Sequence, residues 1–171
     1  LRRVGDQNAQ FFGGLTNTLS YKGLTLDVLF QYQYGNEAYL QTLQVLEGQG
    51  SFTDNQVRSQ MQKVWRAPGQ ITDTPRPYNG GAEPGGFDPT SLSSRYVQTA
   101  SYIRLKQVTL NYKLPQSISK KIGVPGLNVF VQGLNLATWT NYRGEDPETT
   151  GNNLNAYPVS KTFAGGITLD F

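Results

Sequence analysis

Three carboxylates, Glu145, Asp146 and Glu148, crowd into one short stretch, and oxygen donors at that density are what Ca²⁺ takes. Their spacing matches no established cation loop and Pro147 stiffens the turn between them, so a solvated or loop-ordering role stands beside the cation reading. Asp27 and Asp170 lie in segments of alternating polarity without a partnered base, which gives neither an acid–base role. The pairs Gly80-Gly81 and Gly85-Gly86 lack the strand-to-helix context of a phosphate cradle and read as loop formers. The sequence has no Cys and no His, so disulfide frameworks, the usual zinc sites and histidine-based catalysis are excluded. No nucleophile, base or metal set stands at recognisable spacing; an enzyme is not expected, and no cofactor is called for.

The other residues with binding chemistry are aromatic or basic. Trp65, Tyr78, Tyr96 and Trp139 fall in long polar segments or at their edges, where they could stack on sugar rings or meet a lid protein. Pinning the loops to one another would use the same residues. Arg104 and Lys106 interrupt an apolar pattern; they suit either lipopolysaccharide phosphates or a structural salt bridge.

These residues must be positioned by a chain of 171 residues with 15 Lys+Arg against 12 Asp+Glu, a net charge of +3 and 37% hydrophobic residues. No apolar run reaches the roughly 18 residues of a transmembrane helix, and Leu1 to Phe12 lacks the apolar centre of a secretory signal. The basic residues are scattered rather than gathered in a stripe, which argues against nucleic acid. With 19 Gly, 10 Tyr and 8 Phe, the composition suits strands joined by long polar loops.

Alternation predicts five strands, at about 11–21, 24–35, 101–114, 127–136 and 161–171. Lys22-Gly23 supplies a two-residue hairpin turn between the first two. Leu24, Leu26, Val28 and Phe30 form an apolar face, as do Val108, Leu110 and Tyr112, and then Phe163, Ile167, Leu169 and Phe171. Ile103 and Leu105 run in the opposite phase to Val108, which calls for a bulge near Gln107 or a strand end clear of the apolar layer. Phe130, Leu134 and Leu136 break the pattern of their strand. Between strands, 36–100 and 137–160 read as long loops, the first with a short helix around Val57, Met61 and Val64 behind Asp54 as N-cap. A helical turn between Pro115 and Gly123 makes a short connection.

Connections that alternate short and long, an apolar face against a polar one and strands of about ten residues are the marks of a transmembrane β-barrel. Tyr21, Tyr112 and Phe171 fall at the short-turn ends and Tyr32, Tyr34 and Trp139 near the others, as two interfacial girdles would. The fold class expected is therefore all-β: part of an antiparallel transmembrane barrel with long extracellular loops, lipid-facing at the apolar positions above. Five strands cannot close a barrel, so they must belong to a larger one. The rivals are a soluble β-rich carbohydrate-binding module, whose apolar faces would form a core, and a barrel chain acting as partner or substrate in an outer-membrane assembly complex.

Particular segments carry a resemblance. Gly5-Asp6-Gln7-Asn8 leads into Phe11-Phe12-Gly13-Gly14, Ser20-Tyr21-Lys22-Gly23 is followed by Tyr34-Gly35-Asn36, and Ile71-Thr72-Asp73-Thr74-Pro75-Arg76 lies in the long loop. Ser94-Arg95-Tyr96-Val97 runs into the unbroken stretch from Ala100 to Tyr112. Gln132-Gly133-Leu134-Asn135-Leu136, Tyr142-Arg143-Gly144-Glu145-Asp146-Pro147-Glu148, Tyr157-Pro158 and Lys161-Thr162-Phe163 follow. In this order they resemble the C-terminal end of the SusC/RagA family of TonB-dependent outer-membrane transporters of Bacteroidota. The resemblance implies the last five strands of a barrel of about 22 strands, placed in the cell outer membrane. It also implies a plug domain and TonB-binding region N-terminal to these strands, and a SusD-like surface lipoprotein as partner in importing glycans or peptides. Outer-membrane lipid and lipopolysaccharide would surround the wall, and the final strand would be read by the barrel-assembly machinery, since a free strand edge pairs readily with another.

Overall fold

The computed structural model describes residues 4–48, 55–76, 86, 92–149 and 157–170; Asp54, Tyr78, Gly80-Gly81, Gly85 and Phe171 lie outside them. The chain divides into two compact units.

The unit formed by Asn8–Asn36, Ala100–Tyr142 and Pro158–Phe171 carries a five-stranded antiparallel sheet. Its strands are β1 (Phe11–Tyr21), β2 (Leu24–Tyr34), β5 (Tyr102–Lys113), β6 (Gly126–Thr140) and β7 (Thr162–Asp170), in the order β1-β2-β5-β6-β7. The intervening β3 (Glu37–Tyr39) and β4 (Val97–Thr99) pair with each other as a separate two-stranded sheet. The large sheet is a meander with each strand beside its sequence neighbour in the sheet, the arrangement a barrel wall requires.

The β1–β2 hairpin follows from its turn. Lys22 and Gly23 both have positive φ, +45° and +85°, as a type I′ turn demands. A Cβ at Gly23 would sit 2.7 Å from the Lys113 carbonyl oxygen, so glycine is required by conformation and by space. Between β5 and β6, α3 (Gln116–Ser119) and a following 3₁₀ turn end at Gly123, whose φ of +79° closes the helical turn in the left-handed conformation.

The phase switch in β5 is a bulge. Leu29 pairs with Gln107 and Phe30 with Leu105, leaving Lys106 as the extra residue. On the other side Gln107 pairs with Leu134 and Leu105 with Ala137, so Asn135 and Leu136 together oppose the single Lys106, and Asn135 takes a φ of +52°. The disruption therefore runs across neighbouring strands and returns Ile103 and Leu105 to the face that carries Val108. It also hides the last part of β6, which continues to Thr140 rather than ending near residue 136.

The second unit, Leu1–Gln7, Glu37–Thr99 and Arg143–Tyr157, contains the β3–β4 pair, α1 (Gln41–Leu46), α2 (Arg58–Lys63) and a 3₁₀ turn at Ser94–Tyr96. Ala38, Leu40, Leu43, Val64 and Tyr96 are its buried apolar residues. The expected strandless loop over 36–100 thus holds two strands of three residues, too short to display alternation. The expected helix narrows to α2, with Val57 rather than a polar residue at its N-cap.

Candidate functional site

Residues directly opposite one another in an antiparallel ladder share a face. The row Tyr21, Leu24, Tyr112, Val129 and Ile167 therefore lies on one face, followed by Leu19, Leu26, Leu110 and Val131, and then by Asn17, Val28, Val108, Gly133 and Phe163. Above the bulge it continues through Leu15, Phe30, Leu105 and Ala137 to Tyr32, Ile103 and Trp139. Leu127 and Leu169 pair beyond the first row. Leu24, Leu26, Val28, Phe30, Val108, Leu110, Tyr112, Phe163, Ile167 and Leu169 accordingly share one continuous apolar face. Its side chains are unusually open: Phe163 is 72% exposed and Ile167 67%. Apolar surface of that extent needs an apolar neighbour.

Aromatic residues bound this face at both ends. Tyr21 and Tyr112 stand in the row nearest the short turns; Tyr32 and Trp139 stand in the far row, with Phe11 stacked on Tyr34 beyond it at 6.5 Å between ring centroids. The eight residue steps from Leu24 to Tyr32 span about 26 Å along the strand. A tilt of about 40° makes that about 20 Å along the barrel axis, close to the height of an outer-membrane apolar band.

The opposite face is polar and cross-linked. Thr18 Oγ1 donates to Asp27 Oδ1 at 2.6 Å, and the amides of Gln107 and Gln132 both reach Thr109 Oγ1, at 3.0 and 3.1 Å. Near the long-loop end the Gln31 amide donates to the Tyr102 hydroxyl at 3.1 Å. Arg104 Nε donates to Thr138 Oγ1 at 2.9 Å, with its guanidinium carbon 5.3 Å from the Tyr102 ring centre. Arg104 is only 2% exposed, so its charge serves this internal network and is not offered to lipopolysaccharide phosphates. Phe130 breaks the polar pattern because its ring covers Gly166 across the ladder, while Leu136 lies over Gly133 on the apolar side. A ring laid over a facing glycine restores the packing that a missing side chain removes.

The loop unit converges on a buried carboxylate. Glu47 is 3% exposed; its Oε1 accepts from Arg143 Nη2 at 2.6 Å and from Gln60 Nε2 at 3.1 Å, and its Oε2 lies 3.9 Å from Arg95 Nη2. Arg95 also donates to the Asp73 carbonyl. Thr74 is buried, with its hydroxyl 2.9 Å from Gln60 Oε1 and 3.0 Å from Asp73 Oδ1. The Thr74 hydrogen bond, aided by the charges of Arg95 and Lys63, holds the Asp73 carboxyl below the usual range. Burial pushes the Tyr39 phenol up, and its ring meets Tyr96 edge-on at 6.1 Å.

The aromatic and acidic candidates separate on this geometry. Tyr96 is fully buried and pins the loop unit; as an exposed ligand contact it is ruled out. Trp65 is half-buried, with its backbone N–H donating to the Thr74 carbonyl, whereas Trp139 is 54% exposed and belongs to a strand rather than a loop. Asp146 is buried and orders its own turn: its carboxylate accepts from the Glu148 backbone N–H at 2.8 Å and its carbonyl from Thr149. Glu145, Asp146 and Glu148 do not form a metal-holding cluster among the described residues.

No protein-family model matches the chain. The chain is 33% identical to TonB-dependent receptor P3 of Formosa agariphila, over 98% of its own length and 17% of that receptor's. It is also 33% identical to TonB-dependent receptor P26 of the same organism, over 92% of its length and 16% of that receptor's. Among solved structures, the RagAB peptide importer in its closed-closed state matches 99% of this chain and 18% of its own, with a TM-score of 0.82 and 30% identity. The chain is of the SusC/RagA type of TonB-dependent receptor. The open-open state of the RagAB peptide importer matches 94% of this SusC/RagA-type segment and 17% of its own chain, with a TM-score of 0.78 and 32% identity. The five-stranded sheet is thus a section of an antiparallel transmembrane barrel wall, and the segment spans about a sixth of the length of the relatives it matches. Those relatives are named as receptors and importers, not as enzymes.

Proposed function

We propose that this segment supplies wall and outer loops, the last five strands, to a SusC-like transporter that imports glycans or peptides across the outer membrane with a SusD-like lipoprotein. The observation that carries the reading is the continuous apolar face bounded by two aromatic rows and backed by a cross-linked polar face. Lipid meets the first face and the lumen the second. Leu24, Leu26, Val28, Phe30, Val108, Leu110, Tyr112, Phe163, Ile167 and Leu169 are the lipid-facing residues in this reading.

The segment's role is passive. Its fold matches both the open-open and the closed-closed state of the RagAB peptide importer, as expected of a wall against which other parts move. The energy enters elsewhere, from TonB through a plug region, and the lipoprotein meets the outer loops. The β1 and β7 edges, each paired on one side only among the described residues, are where neighbouring strands join during assembly.

The test is uptake by cells that make the full-length protein. Import of labelled oligopeptides or oligosaccharides should depend on this gene and on TonB, and a lipoprotein should copurify with the protein. If the segment alone instead dissolves in water without detergent and binds glycans, it is a soluble binding module and the transporter reading is wrong.

A further inference from the structure

At the long-loop end of the apolar face lies a groove of about 700 Å³. Tyr32, Ile103 and Trp139 form one cross-strand row through it, on three successive strands. The outer two of those strands are about 10 Å apart. Two large aromatic side chains thus flank a smaller aliphatic one, leaving a slot about the width of a single hydrocarbon chain. Tyr34 adds to one wall; Ser101 and Asn141, one residue beyond the ends of β5 and β6, form the lip. Tyr32, Tyr34, Ile103 and Trp139 are all between 41% and 59% exposed, and no charged residue lines the groove among the described residues.

We propose that this groove holds one acyl chain of an outer-leaflet lipid, seated between Tyr32 and Trp139 above Ile103. The proposal rests on the assignment of the apolar face to the membrane. On one side the slot opens toward the apolar positions Phe30 and Leu105; on the other it ends at amide and hydroxyl groups. That gradient matches an amphiphile whose hydrocarbon lies toward the membrane interior and whose uncharged ester, amide or hydroxyl linkages lie at the interface. The uncharged lining suits those linkages better than a phosphate.

The experiment uses the full-length protein in its native outer membrane, with a photo-crosslinking side chain placed either at position 103 or at position 110. Leu110 lies on the same face outside the groove. In parallel, mild-detergent native mass spectrometry compares wild type with Ile103→Trp, which fills the slot, and Trp139→Ala, which removes a wall. Crosslinking to lipid at both positions is expected, with a lipid adduct retained by wild type and lost from both variants. Equal lipid loss from wild type and variants, with labelling at 110 intact, would overturn the groove while leaving the membrane reading in place. A crosslink from position 103 to a polypeptide would overturn the proposal in favour of a protein partner. Absence of lipid labelling at both positions would remove the membrane reading beneath it.

Discussion

Arg143 reaches across 96 positions of sequence to place its guanidinium 2.6 Å from the buried Glu47 carboxylate. Gln60 and Arg95 meet the same group, so three separate stretches of the loop unit converge on the C-terminal end of α1. Removing the buried carboxylate would break its hydrogen bonds to Arg143 and Gln60, and hydrogen bonds to a charged group are the stronger kind. Glu47→Ala should destabilise this unit by about 2 kcal/mol. Hydrogen exchange at 41–46, 58–63 and 94–99 should then accelerate while the sheet's amides stay protected. Uniform protection in the variant would show that the carboxylate does not hold these segments together.

The neighbouring corner has a defined pH dependence. Asp73 is held below its ordinary pKa, first by the Thr74 hydroxyl and then by Arg95 and Lys63. A carboxyl lowered on folding contributes fully above its unfolded value, about pH 4, and that contribution vanishes as pH falls through the folded value. Proteolysis around 72–76 should therefore distinguish wild type from Asp73→Asn at pH 6, and the difference should shrink below pH 4. A difference that stays constant across this range would assign the effect to packing rather than charge.

Gly23→Ala tests the hairpin. The added methyl must adopt a positive φ and approach the Lys113 carbonyl, a backbone atom that cannot swing away. A cost of about 1–3 kcal/mol and a reduced yield of folded barrel are expected. Gel migration of heated against unheated protein reads the folded fraction; wild-type yield would mean that the turn relaxes freely.

Much of the sheet is visible in the alternation of Leu24 to Tyr34 and in the Lys22-Gly23 turn, because period two survives wherever one face is apolar and the other polar. It is obscured at Lys106, where one extra residue reverses the phase of β5, and at Asn135 and Leu136, which interrupt β6 without reversing it, so the sequence around Ile103 and Trp139 reads as departure from the wall rather than continuation. The Glu47 cluster leaves no local signal at all. Its partners are brought together by chain reversals, and neither Gln60 nor Arg95 differs in type from an ordinary surface residue. Arg104 is similarly open to two readings in sequence, and what the fold gives it is burial, a hydrogen bond to Thr138 and a contact with the Tyr102 ring.

The two faces can be separated by adjacent residues of β7. Phe163 shares a ladder row with Gly133 and Val108, midway between the aromatic rows, while Ala164 opposes Gln132 on the other face. Phe163→Arg should cost about 2–4 kcal/mol in a bilayer, the range for a cation at mid-depth on the lipid side. Ala164→Arg should be much milder in the same unfolding titration from lipid vesicles. Equal penalties would reject the assignment of faces.

The most direct measurement is a spin-label accessibility scan along β2, positions 24 to 34, in the full-length protein reconstituted into lipid bilayers. A lipid-facing wall predicts a period of two: even positions relaxed mainly by oxygen, which concentrates in lipid, and odd positions mainly by a water-soluble nickel chelate. Oxygen and nickel accessibility that rise and fall together along the strand, without that opposition, would contradict a lipid-facing wall and point to a sheet surrounded by water or protein.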